Sequence, residues 1–174
     1  MAGFTIRPAA PADLDAITRI YAHAVTNGTA SFELTPPDAA EMGHRYRALQ
    51  DGGFPFLIAE ADGVAGYAYA GPYRARPAYN WTVEDSVYIA PHAHRRGIGR
   101  ALLECLIEES ERRGYRQMVA VVGDSSQVAS IELHRVLGFA LVGTFVSVGF
   151  KHGRWLDTVL MQRPLGPGDT TMPR

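Results

Sequence analysis

The stretch Val87-Tyr88-Ile89-Ala90-Pro91-His92-Ala93-His94-Arg95-Arg96-Gly97-Ile98-Gly99-Arg100 decides how this chain is read. It opens on β-forming residues, passes Pro91 and a basic stretch with two glycines, and enters a run with helical spacing. Ile98, Ala101, Leu102, Cys105 and Leu106 keep to one face, while Glu108–Arg112 and Glu109–Arg113 pair four residues apart on the other. The pattern is strand, basic glycine loop, helix N-terminus. The first turn of a helix has unpaired N–H groups and the positive end of the helix dipole, so it is a seat for an anion. Gly97 and Gly99 let the backbone come close to that anion, and Arg95, Arg96 and Arg100 surround it. A pyrophosphate is the natural ligand. The G-x-x-x-x-G-K-[ST] phosphate loop is absent, and the dinucleotide pattern G-x-G-x-x-G fails at Leu102.

Working outward, Phe4–Arg7 reads as a short strand ended by Pro8, and Pro11–Asn27 as a helix with Leu14, Ile17, Tyr21, Ala24 and Val25 on one stripe. A polar-aromatic loop, Thr29–Pro37, precedes a second helix over Asp38–Gln50. Phe56–Glu60 and Val64–Ala70 form a hairpin about Asp62-Gly63, and Trp81–Ile89 is a third strand signal in the same region. After the helix over Gly97–Arg113, the unbroken apolar run Met118–Val122 suits a buried strand of the parallel type. Gln127–Leu137 reads as a short helix, and Phe139–Gly149 and Arg154–Gln162 as two closing strands about the turn Lys151-His152-Gly153. The order βααβββαβαββ predicts one mixed α/β domain over residues 1–165, with a central twisted sheet flanked by helices. Residues 166–174, rich in Pro, Gly and Thr, read as a loose tail.

Composition narrows the function. The 174 residues carry a net charge of -1, which lacks the basic field that nucleic acid or an anionic membrane demands. Sixteen of the seventeen cations are arginine, and Lys151 is the one lysine. Arginine grips carboxylate or phosphate at two points, so the positions of these arginines matter more than their number. A single cysteine, Cys105, rules out an internal disulfide and a multi-cysteine zinc site; it falls on the apolar stripe of its helix. His23, His44 and His92 lack metal-ligand spacing, and no metal is expected. With no leader pattern and no apolar run of about 18 residues, a cytoplasmic protein is expected.

His94-Arg95-Arg96-Gly97-Ile98-Gly99 resembles the Q/R-x-x-G-x-G/A acetyl-CoA loop of the GNAT acyltransferase superfamily. Ser130-Ile131-Glu132-Leu133-His134-Arg135-Val136-Leu137-Gly138-Phe139 is similar to its second signature, and the element order matches from about residue 4 to 163. Four further segments resemble the branch that acetylates phosphinothricin and methionine sulfoximine: Ala70–Arg76, Tyr79–Glu84, Val119–Gly123 and Gly149–Trp155.

The resemblance implies an N-acetyltransferase that moves acetyl from acetyl-CoA to the amino group of a small amino acid or analogue, and a homodimer. It implies that Glu84 is the general base, with Asp85 the local rival, and that His134 protonates the leaving thiolate or lines the site. Val87, Tyr88 and Ile89 would grip the pantetheine arm and offer backbone N–H groups to the thioester carbonyl. His94, Arg95, Arg96, Gly97, Ile98, Gly99, Arg100 and Gln127 would complete the cofactor site. Phe32, Arg74, Arg76, Tyr79, Asp85 and Ser86 would meet the substrate, the two arginines being suited to an α-carboxylate. Three departures stand out. His94 replaces the usual Gln or Arg, Gln127 stands where an Asn is frequent, and Glu33 stands where the herbicide-detoxifying members have a cation. Rival readings are acetylation of another amine (a protein N-terminus, a polyamine or an antibiotic) and a non-catalytic acyl-CoA sensor.

Overall fold

The structure is a computed structural model that describes residues 3–173. Seven strands form one sheet in the order β1-β2-β3-β4-β5-β7-β6. They are β1 (Thr5–Pro8), β2 (Phe56–Ala61), β3 (Gly63–Pro72), β4 (Thr82–Ile89), β5 (Gln117–Gly123), β6 (Ala140–Lys151) and β7 (Arg154–Pro164). The helices are α1 (Leu14–Asn27), α2 (Ala39–Asp51), α3 (Ile98–Arg112) and α4 (Val128–Val136). The expected element order and single mixed domain are what the fold contains. No described helix is long and apolar enough to cross a membrane.

Local chemistry sets the boundaries. The helix expected from Pro11 begins as a 3-10 turn, Pro11–Asp13, and becomes α-helical at Leu14. Asp13 explains the delay, because its carboxylate turns back to the Ala10 N–H at 2.8 Å and to Arg7 at 2.8 Å. Asp38 caps α2 by accepting from the Glu41 N–H at 2.8 Å. Gly63, at φ +97°, makes the hairpin turn between β2 and β3. Residues 166–174 read as a loose tail, yet up to Met172 the structure ties them back. Leu165 is fully buried, and the Arg116 guanidinium donates to the carbonyls of Gly168 and Met172 and to the Thr171 hydroxyl.

The sheet changes character at its centre. β4 runs antiparallel to β3 along its length, from Val83 opposite Pro72 to Ile89 opposite Gly66. Its parallel pairing with β5 covers only Thr82–Asp85 against Gln117–Ala120. Beyond that point β5 continues beside β7 as far as Gly123 opposite Thr158, and β4 turns away. A wedge opens between two neighbouring strands of one sheet.

Side chains alternate between the faces of a strand. Glu84, Ser86 and Tyr88 share a face with Gly71, Tyr69 and Tyr67. That face is covered by α1 and α2, where Tyr21 stands edge-on to Tyr88 at 5.0 Å and Tyr46 to Phe56 at 5.4 Å. Asp85, Val87 and Ile89 share the other face, under α3 and α4. There the space above Gly99 is bounded by Leu133 of α4 and Ile89 of β4. The core of Ile17, Ile58, Tyr67, Leu102, Leu103, Leu106 and Met118 packs both faces and fixes where the wedge lies.

Candidate active site

The wedge exposes backbone. The Ala90 N–H donates to the Ala65 carbonyl at 2.9 Å, on the β3 side. Peptide groups alternate in direction along a strand, so those of Val87 and Ile89 point into the wedge. His94 Nε2–H donates to the Ile89 carbonyl at 3.2 Å and fastens the basic loop to the end of β4. The Val87 N–H has no strand partner on its side and faces the space between the strands, a donor placed for an acyl oxygen.

The loop then climbs to α3. Pro91–Ala93 forms a 3-10 turn, and Arg95 and Gly97 both take positive φ, +60° and +80°. Gly97 is the N-cap residue of α3 and, having no side chain, leaves the N–H groups of the first turn available. Arg95 and Arg96 are exposed, and Arg100 pairs with Glu104 at 2.9 Å. The two glycines differ in role. A Cβ on Gly99 would meet only the Leu133 and Ile89 side chains, at 3.6 Å and beyond, which is ordinary contact. Gly97 is the position that the backbone conformation demands.

At the point where β4 and β5 part lies a cleft of about 300 Å³. Of the residues expected in the site, Phe32, Glu84, Asp85, Ser86, Val87, Tyr88, Gln127 and His134 line it. Glu84 enters from the α1/α2 face. Burial pushes its carboxyl above the ordinary carboxylate range, the Asp85 charge adds to this, and Arg74 opposes it. Asp85 and His134 enter from the α3/α4 face. His134 is 4% exposed, with Nδ1 at 2.7 Å from the Ser130 carbonyl and Nε2 at 2.9 Å from Asp85 Oδ2. Burial works against its charged form, but the Asp85 bond and charge and the Ser130 carbonyl outweigh it, so the imidazole pKa is raised. Asp85 Oδ1 is buried and accepts no hydrogen bond.

The opposite wall is built by the loop after α1. The Phe32 ring sits over two glycines, Gly123 of β5 and Gly149 of β6, and a Cβ on either would run into it. Thr29 anchors this loop by donating to Asp124 Oδ2 at 2.9 Å and accepting from Gln127 Nε2 at 3.0 Å. Burial alone would raise the Asp124 carboxyl, but Arg154, the Ser126 N–H and the Thr29 hydroxyl hold it at about 2. Lys151 is buried at the end of β6, ahead of the turn that bends at His152 and Gly153, and donates to the Ser31 carbonyl at 2.7 Å. Glu33 is not a free charge beside the cleft: it accepts from Arg45 at 2.6 Å and from the Tyr21 hydroxyl at 3.0 Å.

Three expected substrate residues stand outside the cleft. Arg74 stacks on the Tyr73 ring at 5.0 Å, close enough for Glu84 to feel its charge. Arg76 and Tyr79 are exposed around the following 3-10 turn. The sequence reading missed Ser130 and the Thr29–Asp124–Arg154 network. Ser130 had a signal, since it lies one helical turn before His134 and its carbonyl faces the same side. The network had none, because it joins residues 95 and 30 positions apart. Among the described residues no group of three or more His, Cys, Asp and Glu side chains could hold a metal ion.

Comparison with known proteins gives consistent results. The family model described as "Acetyltransferase (GNAT) domain" matches residues 6–160. A phosphinothricin N-acetyltransferase of Alcaligenes faecalis is 56% identical over 170 residues, covering 97% of this chain and 86% of that one. An L-methionine sulfoximine/L-methionine sulfone acetyltransferase of Salmonella typhimurium is 43% identical, covering 92% of this chain and 94% of its own. The crystal structure of a GNAT phosphinothricin acetyltransferase from Sinorhizobium meliloti, in complex with acetyl-CoA, superposes with a TM-score of 0.96. It is 48% identical and covers 99% of this chain and 94% of that one.

Proposed function

This chain belongs to the GNAT acetyltransferase family and is an N-acetyltransferase, and from that premise we propose how its residues divide the reaction. The acceptor is the amino group of a small amino acid or analogue of the methionine sulfoximine, methionine sulfone or phosphinothricin kind. The observation that carries this reading is the wedge, with Glu84 on one face of the sheet and the Asp85–His134 pair on the other.

Acetyl-CoA supplies an activated acyl group, and the residues present fit it. The open first turn of α3 with Arg95, Arg96 and Arg100 suits the pyrophosphate, and the free edge of β4 at Val87 and Ile89 suits the amide-bearing pantetheine arm. The Val87 N–H polarises the carbonyl. Glu84 takes a proton from the substrate ammonium, directly or through water, and its raised pKa makes it a stronger base than an exposed glutamate. His134 stands on the side from which the thiolate departs.

The acceptor is small because the cleft is small and Phe32 closes it. Arg74 and Arg76 precede β4 outside the cleft lining, and we assign their guanidinium groups to the substrate α-carboxylate. The pairing of Glu33 with Arg45 removes the free negative charge that would repel an anionic substrate. We assign the reaction to the cytoplasm and the chain to a homodimer. Support for the dimer is the apolar edge strand β6, where Val142, Phe145, Val146 and Val148 are all more than half exposed, with Phe150 and Trp155 beside them. Sedimentation equilibrium at micromolar concentration should return twice the chain mass; a single-chain mass would remove the dimer.

The test of function is thiol release from acetyl-CoA across a panel of amino acids, sulfoximines, polyamines and peptide N-termini. Turnover should concentrate on the small amino acids and their analogues. Preference for polyamines or peptides would overturn the substrate class.

A further inference from the structure

We propose that Thr29 is a positioning residue that couples the two substrate sites, so that the acyl donor and the amine each bind more tightly when the other is present. The proposal rests on the acetyl-transfer reading above and adds to it a physical link between the sites, carried by the bond from Gln127 to the Thr29 hydroxyl.

The link begins in the turn between β5 and α4. Residues 123–127 meet the loop that carries Phe32 at three points. The Thr29 carbonyl and the Phe32 ring both rest on Gly123, where an added Cβ would lie 2.6 Å from the first and 2.9 Å from the second. Asp124, the next residue, accepts from the Thr29 hydroxyl, and Gln127 donates to that same hydroxyl. Gln127 is the N-cap residue of α4, yet its side chain makes no capping bond. It reaches across the fold to Thr29 instead. Gln127 also lines the cleft, on the α4 face that it shares with Ser130 and His134.

Donors and acceptors fix the direction of each bond in this chain. Asp124 is 3% exposed; burial opposes its charge, but Arg154, the Ser126 N–H and the Thr29 hydroxyl hold it at about 2. At neutral pH it can therefore only accept. The single Thr29 hydroxyl proton goes to Asp124, and the Thr29 oxygen is left to accept. Only the NH2 end of the Gln127 amide can serve it. The other end, Oε1, is turned away from Thr29, and among the described residues nothing donates to it. The Arg154–Asp124 ion pair thus decides which end of the Gln127 amide is left for a ligand. That end is an acceptor on the wall of the wedge. It suits an N–H of the acyl donor's arm, which carries secondary amides.

The same hydroxyl holds the amine side. Thr29 is buried at the start of the segment whose Phe32 closes the cleft. The residues beyond it are fastened separately. Lys151 donates to the Ser31 carbonyl at 2.7 Å, and the Ser31 hydroxyl accepts from the Glu33 N–H at 3.2 Å. Those bonds tie the loop to β6 and to itself, whereas the Thr29 hydroxyl ties it to the α4 wall. A ligand N–H on Gln127 Oε1 polarises the amide and strengthens its bond to Thr29, which steadies Phe32 on Gly123. An amine seated against Phe32 acts in reverse, because linkage is reciprocal. Removing the hydroxyl cuts the link and leaves both walls standing.

The experiment uses the full chain, with CoA as a donor analogue that cannot transfer an acyl group. The amine is the one turned over best in the thiol-release panel, L-methionine sulfone being expected. Calorimetry reads binding, and hydrogen exchange reads the loop. In the wild-type protein saturating amine should tighten CoA by at least about fivefold, and saturating CoA should tighten the amine by the same factor. CoA alone should slow amide exchange over residues 29–33 by at least about threefold. In Thr29→Val, which keeps the shape and loses the hydroxyl, the coupling should fall below about twofold, and CoA should no longer slow the loop. Thr29→Ser, which keeps the hydroxyl, should restore both effects; a purely structural role would not move the coupling factor. Gln127→Leu cuts the link from the other side and should also bring the coupling below about twofold, whether or not Thr29→Val folds. Wild-type coupling in either hydroxyl-free Thr29→Val or Gln127→Leu overturns the proposal. So does independent binding of CoA and amine to the wild-type protein, or a loop that CoA does not slow. Absence of thiol release with every amine would overturn the acetyl-transfer reading instead, and the exchange result with CoA alone stands apart from it.

Discussion

The two faces of β4 set their ionisable groups in opposite surroundings. On the α1/α2 face Glu84 is half-buried, borders the cleft, and is raised in pKa by burial and by a neighbouring negative charge. On the α3/α4 face His134 is almost fully buried and bonded at both ring nitrogens. Adjacent residues, Glu84 and Asp85, serve the two faces because side chains alternate along a strand. Glu84, the proposed base, borders the cleft, whereas the His134 ring is held by a partner at each nitrogen. Burial raises the carboxyl pKa in the first case, and in the second a buried counter-charge overcomes burial.

The largest effect should come from breaking the Glu84 face. Glu84→Gln keeps the shape and removes the base, so kcat/KM should fall by about 10²–10⁴-fold. In the wild-type enzyme the acid limb of kcat/KM should lie above the range of an ordinary glutamate, since protonation of Glu84 switches the base off. Wild-type turnover in Glu84→Gln across the pH range would remove Glu84 as the base. A smaller effect is expected from Gly149→Ala, which leaves Glu84 and His134 in place. The added methyl meets the Phe32 ring, and displacing that wall should raise the KM for the amine by about ten- to a hundredfold. Thermal stability and acetyl-CoA affinity, measured in parallel, should change much less.

The smallest effect concerns the scaffold behind Phe32. Asp124 is held at about 2 in the folded protein, below its ordinary value of 3.8. A depressed carboxyl contributes stability above its unfolded pKa and loses it as pH falls toward the folded value. Urea midpoints should therefore drop between about pH 4 and pH 2, and Asp124→Asn should flatten part of that drop while lowering stability at neutral pH. An identical pH profile in the two proteins would show that the Thr29–Asp124–Arg154 network does not hold the loop.

Much of this could be read from residue order. The loop His94–Arg100 was legible because a helix N-terminus with glycine and arginine is an anion seat wherever it occurs. Met118–Val122 was legible as a strand from its apolar run, but it is parallel only to β4 and antiparallel to β7, and with Val121 39% exposed one of its faces is not fully buried. Glu84 and His134 were singled out only through their motifs, since a lone carboxylate or imidazole carries no signal of its own, and the structure places both on the wall of the cleft. Gly97 and Gly99 were both read as close-approach glycines; Gly97 takes φ +80°, which favours glycine, whereas a Cβ on Gly99 would make only ordinary contacts. Glu33 was read as an odd charge near the substrate, and Arg45, twelve residues on, turns out to hold it. Arg74, Arg76 and Tyr79 were read as substrate residues, and none of them lines the cleft.

By itself the sequence determined the element order and the passage from strand through basic glycine loop to helix. These depend on local periodicity, turn chemistry and short motifs, all of which act over a few residues. Only the tertiary structure decided that β4 and β5 stay paired for four residues and then part. It alone put Glu84 and His134 on opposite faces of that opening and placed Asp85 at 2.9 Å from the imidazole, across 49 residues of chain. Such contacts arise from the packing of helices on a twisted sheet, and no stretch of sequence shorter than the fold contains them.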